Sequence, residues 1–115
     1  MADLRSRLIE FALTLPRAFE DHPWEETVVK VGGSGKIFVF FGGSAGTPAI
    51  TVKLDESHAH ALSIEGAKPT GYGLGKSGWV TIPVAGGTFE VLRDFVEESY
   101  RIVAPKRLVA TLDGA

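Results

Sequence analysis

Apolar residues recur along the chain with two distinct periods, and the switches between them mark the elements. Leu4, Leu8, Phe11, Ala12 and Leu15 fall at i, i+4, i+7, i+8 and i+11, one stripe of a helix that Asp3 can cap and Pro16 must end. After a polar connection the period drops to two. Residues 27–31 and 36–41 read as strands, and the Gly32-Gly33-Ser34-Gly35 between them is short enough to close a hairpin. Residues 42–48 read as a second flexible loop leading to residues 49–54, where Ile50, Val52 and Leu54 alternate with Ala49, Thr51 and Lys53. The expectation is a three-strand meander with one strongly apolar face.

Asp55 then stands where an N-cap would, ahead of a short helix over residues 56–64 whose inward positions are Ala59, Leu62 and Ala61 or Ile64. Residues 66–78, rich in Gly and Pro, predict a loop with room for a short extended piece around Tyr72, followed by a strand at 79–84. Pro83 puts that strand at an edge or at its end. Gly86-Gly87-Thr88 turns the chain into a helix with Phe89, Leu92, Phe95, Val96 and Tyr100 on one face, closing near Val103, and Pro105 opens a final short helix to about residue 110. The order αβββαβαα predicts an α+β fold with helices on one face of a mainly antiparallel sheet. With 115 residues, 44% of them apolar, the chain suits one domain over residues 1–115 built on one core.

Charge and chemistry narrow the function classes. There is no cysteine, which excludes a disulfide framework, a thiolate nucleophile and cysteine-ligated metal. The N-terminal stripe is interrupted by Asp3 and Glu10, so it is expected to be neither signal peptide nor anchor, and no apolar run approaches a membrane span. A cytoplasmic protein without membrane contact is the expectation. Gly71-Tyr72-Gly73-Leu74-Gly75-Lys76-Ser77 ends like a phosphate-binding loop, but three residues rather than four separate its glycines at 71 and 75, and it runs into a strand. His58 and His60 are two apart and cannot chelate one metal from a regular helix, which uses i and i+4. Glu20, Asp21 and His22, beside Trp24, read as a satisfied turn more readily than as a proton relay, because no nucleophile is placed near them. No nucleophile, base and oxyanion site can be identified together, so the chain is expected not to be an enzyme and to need no cofactor.

The strand at 36–41 is apolar on both sides, with Phe38 and Phe40 alternating against Ile37, Val39 and Phe41. Its second face is either covered, for instance by Trp79, or open to a partner. Cover is the expectation, since large exposed apolar patches are uncommon in monomers. The net charge of −2 denies the chain the positive field of a strong nucleic-acid binder. Between residues 27 and 89, however, five lysines face three carboxylates, while both flanks are acidic. A surface bearing Lys36, Lys53, Lys68 and Lys76, with Tyr72 and Trp79 interleaved, could hold phosphates by charge and bases by stacking, and is otherwise a solvated lysine surface.

Leu15-Pro16-Arg17-Ala18-Phe19-Glu20-Asp21-His22-Pro23-Trp24, Lys30-Val31, Gly35-Lys36-Ile37-Phe38, Val52-Lys53-Leu54, Lys76-Ser77-Gly78-Trp79-Val80 and Glu98-Ser99-Tyr100 together resemble the signatures of the MmcQ/YjbR family, in order and over nearly the whole chain. The resemblance implies a CyaY-like, double-wing α+β fold and the family's predicted DNA binding. It singles out Lys36, Lys53, Lys76 and Trp79 as contacts. It also raises iron through the frataxin-like shape, but an acidic ridge on the first helix is missing, where Asp3 and Glu10 stand among Arg5 and Arg7. The expected function is a small non-enzymatic domain that binds DNA weakly through its lysine-rich sheet and loop surface. The alternative is a protein-interaction or small-ligand module that uses the aromatic sheet face, with Phe38 or Phe40 exposed in a groove.

Overall fold

The computed structural model describes residues 3–23, 26–44, 46–71 and 74–114. The first apolar stripe forms α1 (Leu4–Leu13), which the Asp3 carboxylate caps by accepting from the Ser6 amide at 2.7 Å. The chain then enters a strand that hydrophobic patterning does not reveal, β1 (Ala18–Asp21), because its side chains alternate weakly at the edge of the sheet. Next come β2 (Thr27–Val31), β3 (Ile37–Ser44), β4 (Thr47–Lys53), α2 (His58–Leu62), β5 (Lys68–Pro69), β6 (Trp79–Pro83), α3 (Phe89–Val103) and α4 (Lys106–Leu112). The six strands form one antiparallel sheet in the order β1-β2-β3-β4-β6-β5.

Several expectations are corrected by backbone pairing. Residues 42–44 and 47–48 are not loop: they extend β3 and β4, paired from Gly42 with Ala49 to Ser44 with Thr47. Glycine runs discourage a strand reading, but a paired partner satisfies their backbone all the same. The predicted order αβββαβαα lacks β1 and the two-residue β5, and becomes αββββαββαα. Pro83 ends β6 where the chain turns into a 3-10 segment, Val84–Gly86. Asp55 does not cap α2 with its side chain. The α2 entry is held from across the fold instead, by Glu98 accepting from the amides of Asp55 and Ser57 at 2.8 and 3.2 Å. Within α2, Ala61 is buried and Leu62 and Ile64 pack on the core, whereas Ala59 is exposed.

The core lies between the helices and one sheet face. Leu8 and Ala12 of α1, Ala61 of α2, Leu92, Phe95, Val96 and Tyr100 of α3 and Leu108 of α4 join Val29, Val31, Val39, Phe41, Ile50, Val52, Val80 and Ile82 in one cluster. Burying each large apolar side chain of α3 contributes about 1.5–3 kcal/mol, so packing rather than helix propensity holds this element. Phe38 breaks the strict alternation. Lys30 pairs with Ile37 and Val29 with Val39, leaving Phe38 as the extra residue of a bulge that turns its ring inward against Tyr100, edge to face at 5.2 Å. Phe40 stays on the other face. Among the described residues no helix is long and apolar enough to cross a membrane.

Candidate nucleic-acid interface

The sheet face away from the core carries Phe40, Thr51, Lys53, Trp79 and Thr81, all half-buried and none part of the core cluster. Pairing aligns them: Phe40 lies opposite Thr51, Thr51 opposite Thr81, and Lys53 opposite Trp79. Trp79 therefore does not cover the face as a separate layer. It is part of the face, its ring edge on Phe40 at 5.6 Å. A ladder of threonine hydroxyls, Thr51 to Thr81 at 3.0 Å and Thr81 to Thr70 at 3.1 Å, continues it toward the edge. Phe38, expected beside Phe40, is fully buried and cannot contribute.

At one end of this face, β2 ends, β3 begins, β4 ends, β6 begins and α3 closes. There Lys36, Lys53 and Trp79 line one groove of about 400 Å³, floored by Ile37, Ile102 and Val103. Lys53 and Lys76 line an adjoining groove of about 570 Å³ with Asp55 and His58, and Ile102, 39% exposed, belongs to both. Lys53 is positioned with care. Ser99, fully buried on α3, accepts from the Lys53 amide at 2.9 Å and donates to the Phe38 carbonyl, tying the middle of the sheet to the helix. Gly78 makes the second constraint: at φ +97 a Cβ would lie 2.7 Å from the Leu54 carbonyl, so only glycine brings the Lys76 turn this close to β4.

Four of the six residues singled out in the sequence thus converge. Lys68 shares the open face, opposite Thr81 on edge strand β5, but lines neither groove. Tyr72 lies outside the described residues, as does Trp24. Among the described residues none of Lys36, Lys53, Lys68 and Lys76 forms an ion pair, whereas Lys30 is neutralised by Asp21 at 2.7 Å and Arg101 by Glu97 and Asp113. That pairing holds the Asp21 carboxyl below its ordinary range, and the Asp113 carboxyl likewise. Glu20 of β1 and His22, just past its end, lie 2.8 Å apart through the imidazole Nε2 and a carboxylate oxygen.

Periodicity and charge counting pass over two further cations at this end, Arg17 and Arg107. An added Cβ on Gly32 would sit 3.1 Å from Arg17 Nε, and one on Gly33 would sit 4.0 Å from the Arg107 guanidinium. Both arginines belong to the acidic flanks in sequence and reach the hairpin only through the fold. The opposite charge gathers on the α3 flank, where Asp55, Glu56, Asp94, Glu97 and Glu98, with Arg101, line a cleft of about 370 Å³ that adjoins the Lys53 and Lys76 groove through Asp55 and Ile102. Burial pushes the Glu98 carboxyl up, but hydrogen bonds from Ser57 and from the Asp55 amide outweigh it and leave it below its ordinary value. Among the described residues no group of three or more His, Asp or Glu is arranged to hold a metal ion.

A family model described as YjbR matches residues 13–102. A solved Deinococcus radiodurans protein with a DUF419 domain is 28% identical, with a TM-score of 0.69 over 88% of this chain and 78% of that one. A solved Pseudomonas syringae protein, 20% identical over 85% of this chain and 97% of that one, has a TM-score of 0.67 and bears on the fold alone. No curated protein matches the chain.

Proposed function

This chain belongs to the YjbR family, and from that premise we propose that it is a small non-enzymatic domain that binds nucleic acid weakly, along the lysine-bearing end of the sheet and the open face beside it. The observation that carries this reading is the meeting of Lys36, Lys53 and Trp79 in one groove, with Lys76 in the next. Ammonium groups without carboxylate partners have charge available for phosphates, and the half-buried Trp79 ring gives a base a surface to stack on, a contact worth about 1–3 kcal/mol per base. The ladder of Thr51, Thr81 and Thr70 uses two of its three hydroxyl hydrogens internally and leaves one to donate to a phosphate or sugar oxygen. In a double-wing description the hairpin that closes between Val31 and Lys36 is a wing, and it flanks this groove.

Fluorescence anisotropy with a labelled single-stranded and a duplex oligonucleotide tests the reading. Binding at low salt should weaken linearly in log–log form as salt rises, with about 0.7 of slope per single-strand phosphate contact. Lys53→Glu with Lys76→Glu should cost about tenfold in affinity and flatten that slope, because each reversal removes a cation and adds a repulsive charge. Salt-indifferent binding, or none at high micromolar protein, would defeat it. A protein or small-ligand partner is the second reading, favoured by the exposure of Ile102 between the two grooves. Complexes on that surface would persist at high salt.

A further inference from the structure

The hairpin between β2 and β3 is closed by the Val31 amide donating to the Lys36 carbonyl and the Gly35 amide to the Val31 carbonyl, both at 2.9 Å. Gly32 donates to the Arg17 carbonyl at 2.8 Å, and Ser34 Oγ accepts from the Lys36 amide at 3.3 Å. Two donors are left over at the tip. Among the described residues the amides of Gly33 and Ser34 have no acceptor, and both residues are exposed.

Two guanidinium groups flank that tip from different elements. Arg107 comes from the first turn of α4 and reaches Gly33. Arg17 lies across Gly32 and is the only non-glycine among the described residues with positive φ, at +57°. Such a conformation costs an arginine about 1–2 kcal/mol relative to its preferred regions, so it persists only where its surroundings impose it. They do so twice: Tyr100 donates its hydroxyl to the Pro16 carbonyl at 2.7 Å on one side, and Gly32 holds the Arg17 carbonyl on the other. Neither arginine, nor Lys36 beside them, has an ion pair among the described residues, while the carboxylates of Asp21 and Asp113 are engaged by Lys30 and Arg101.

We propose that this tip is a phosphate-binding subsite, in which the guanidinium groups of Arg17 and Arg107 and the amides of Gly33 and Ser34 hold one backbone phosphate of a bound nucleic acid. Guanidinium forks match phosphate oxygens, and the tip glycines let a phosphate approach the backbone without meeting a side chain. The subsite rests on the nucleic-acid reading for the carrier of the phosphate and on its own geometry for the anion. The groove with Trp79 begins at Gly35, so a chain anchored at the tip runs on toward the tryptophan.

The test is an NMR titration of the ¹⁵N-labelled chain, first with inorganic phosphate at constant ionic strength and then with a short single-stranded oligonucleotide. The Gly33 and Ser34 amides and the Arg17 Nε–H should follow one saturating curve with phosphate. Arg107→Ala should weaken it by about threefold or more, as expected for losing one exposed charged partner. Arg17→Gly, which relieves the backbone conformation while removing the guanidinium, should do the same. Lys53→Glu with Lys76→Glu should leave the phosphate curve unchanged while weakening the oligonucleotide. Non-saturating phosphate shifts, or shifts unchanged in both arginine variants, overturn the subsite. A saturating, arginine-dependent phosphate curve without oligonucleotide binding supports the anion site and overturns nucleic acid as its carrier.

Discussion

Ser99 and Tyr100 illustrate how single residues of this chain do structural duties that their sequence context conceals. Both belong to the Glu98-Ser99-Tyr100 signature, and neither touches the grooves. Ser99 joins the Lys53 amide to the Phe38 carbonyl, at the point where the bulge interrupts pairing and leaves backbone groups in need of partners. Ser99→Ala would strand a donor and an acceptor in a fully buried site, so we expect a loss of about 1–3 kcal/mol in urea denaturation. Ser99→Cys, which keeps a weak donor and a similar volume, should recover part of it. A loss under 0.5 kcal/mol, on the order of an ordinary surface substitution, would show that water satisfies both groups. The helical period places position 99 near the core, but only the bulge explains why a hydroxyl is wanted there.

Among the elements, α3 carries the most consequences. Its apolar face was legible from Leu92, Phe95, Val96 and Tyr100, all of them buried. Its polar edge was not, because Glu98 reaches a segment more than forty residues earlier to fasten the entry to α2. The Glu98 carboxyl is held lower in the folded chain than in the unfolded one. Its contribution is therefore complete above the ordinary carboxylate range, about pH 4.3, and is lost as pH falls through the folded value. Glu98→Gln should destabilise the chain by about 1–2 kcal/mol at pH 7, and the difference from the parent should shrink as denaturation is repeated toward pH 3. A difference independent of pH would mean that the side chain's shape, not its charge, holds α2. The missed strand β1 and the extensions of β3 and β4 share a cause: their residues pair through backbone groups, which hydrophobic periodicity does not report.

Over the whole molecule, a net charge of −2 coexists with a group of lysines that form no ion pair among the described residues. The chain extends 37 × 32 × 27 Å, several times the screening length of about 8 Å at physiological salt, so the field at Lys36, Lys53 and Lys76 is set by the charges close to them, Asp55 of the Lys53 and Lys76 groove included, and not by the total. Local arrangement should outweigh total charge. Arg7 and Arg93 stack on Phe89 at the opposite end of α3, about 20 Å from Val103 by helix rise. Arg7→Glu with Arg93→Glu changes the net charge as much as Lys53→Glu with Lys76→Glu, yet should alter oligonucleotide affinity in the anisotropy assay by less than about twofold. Equal losses from both pairs would mean that overall charge governs binding. The amino-acid sequence by itself determined the α+β class, the cap and end of α1, the hairpin at residues 32–35, the buried face of α3 and the lysine-bearing middle of the chain, because each follows from local propensity and periodicity. The tertiary structure alone decided that Phe38 turns inward while Phe40 stays on the open face, that Lys68 stands apart from the grooves, and that Arg17 and Arg107 meet at one hairpin. Those outcomes depend on a bulge, on strand order and on contacts between residues far apart in the chain, which the period of a single segment does not encode.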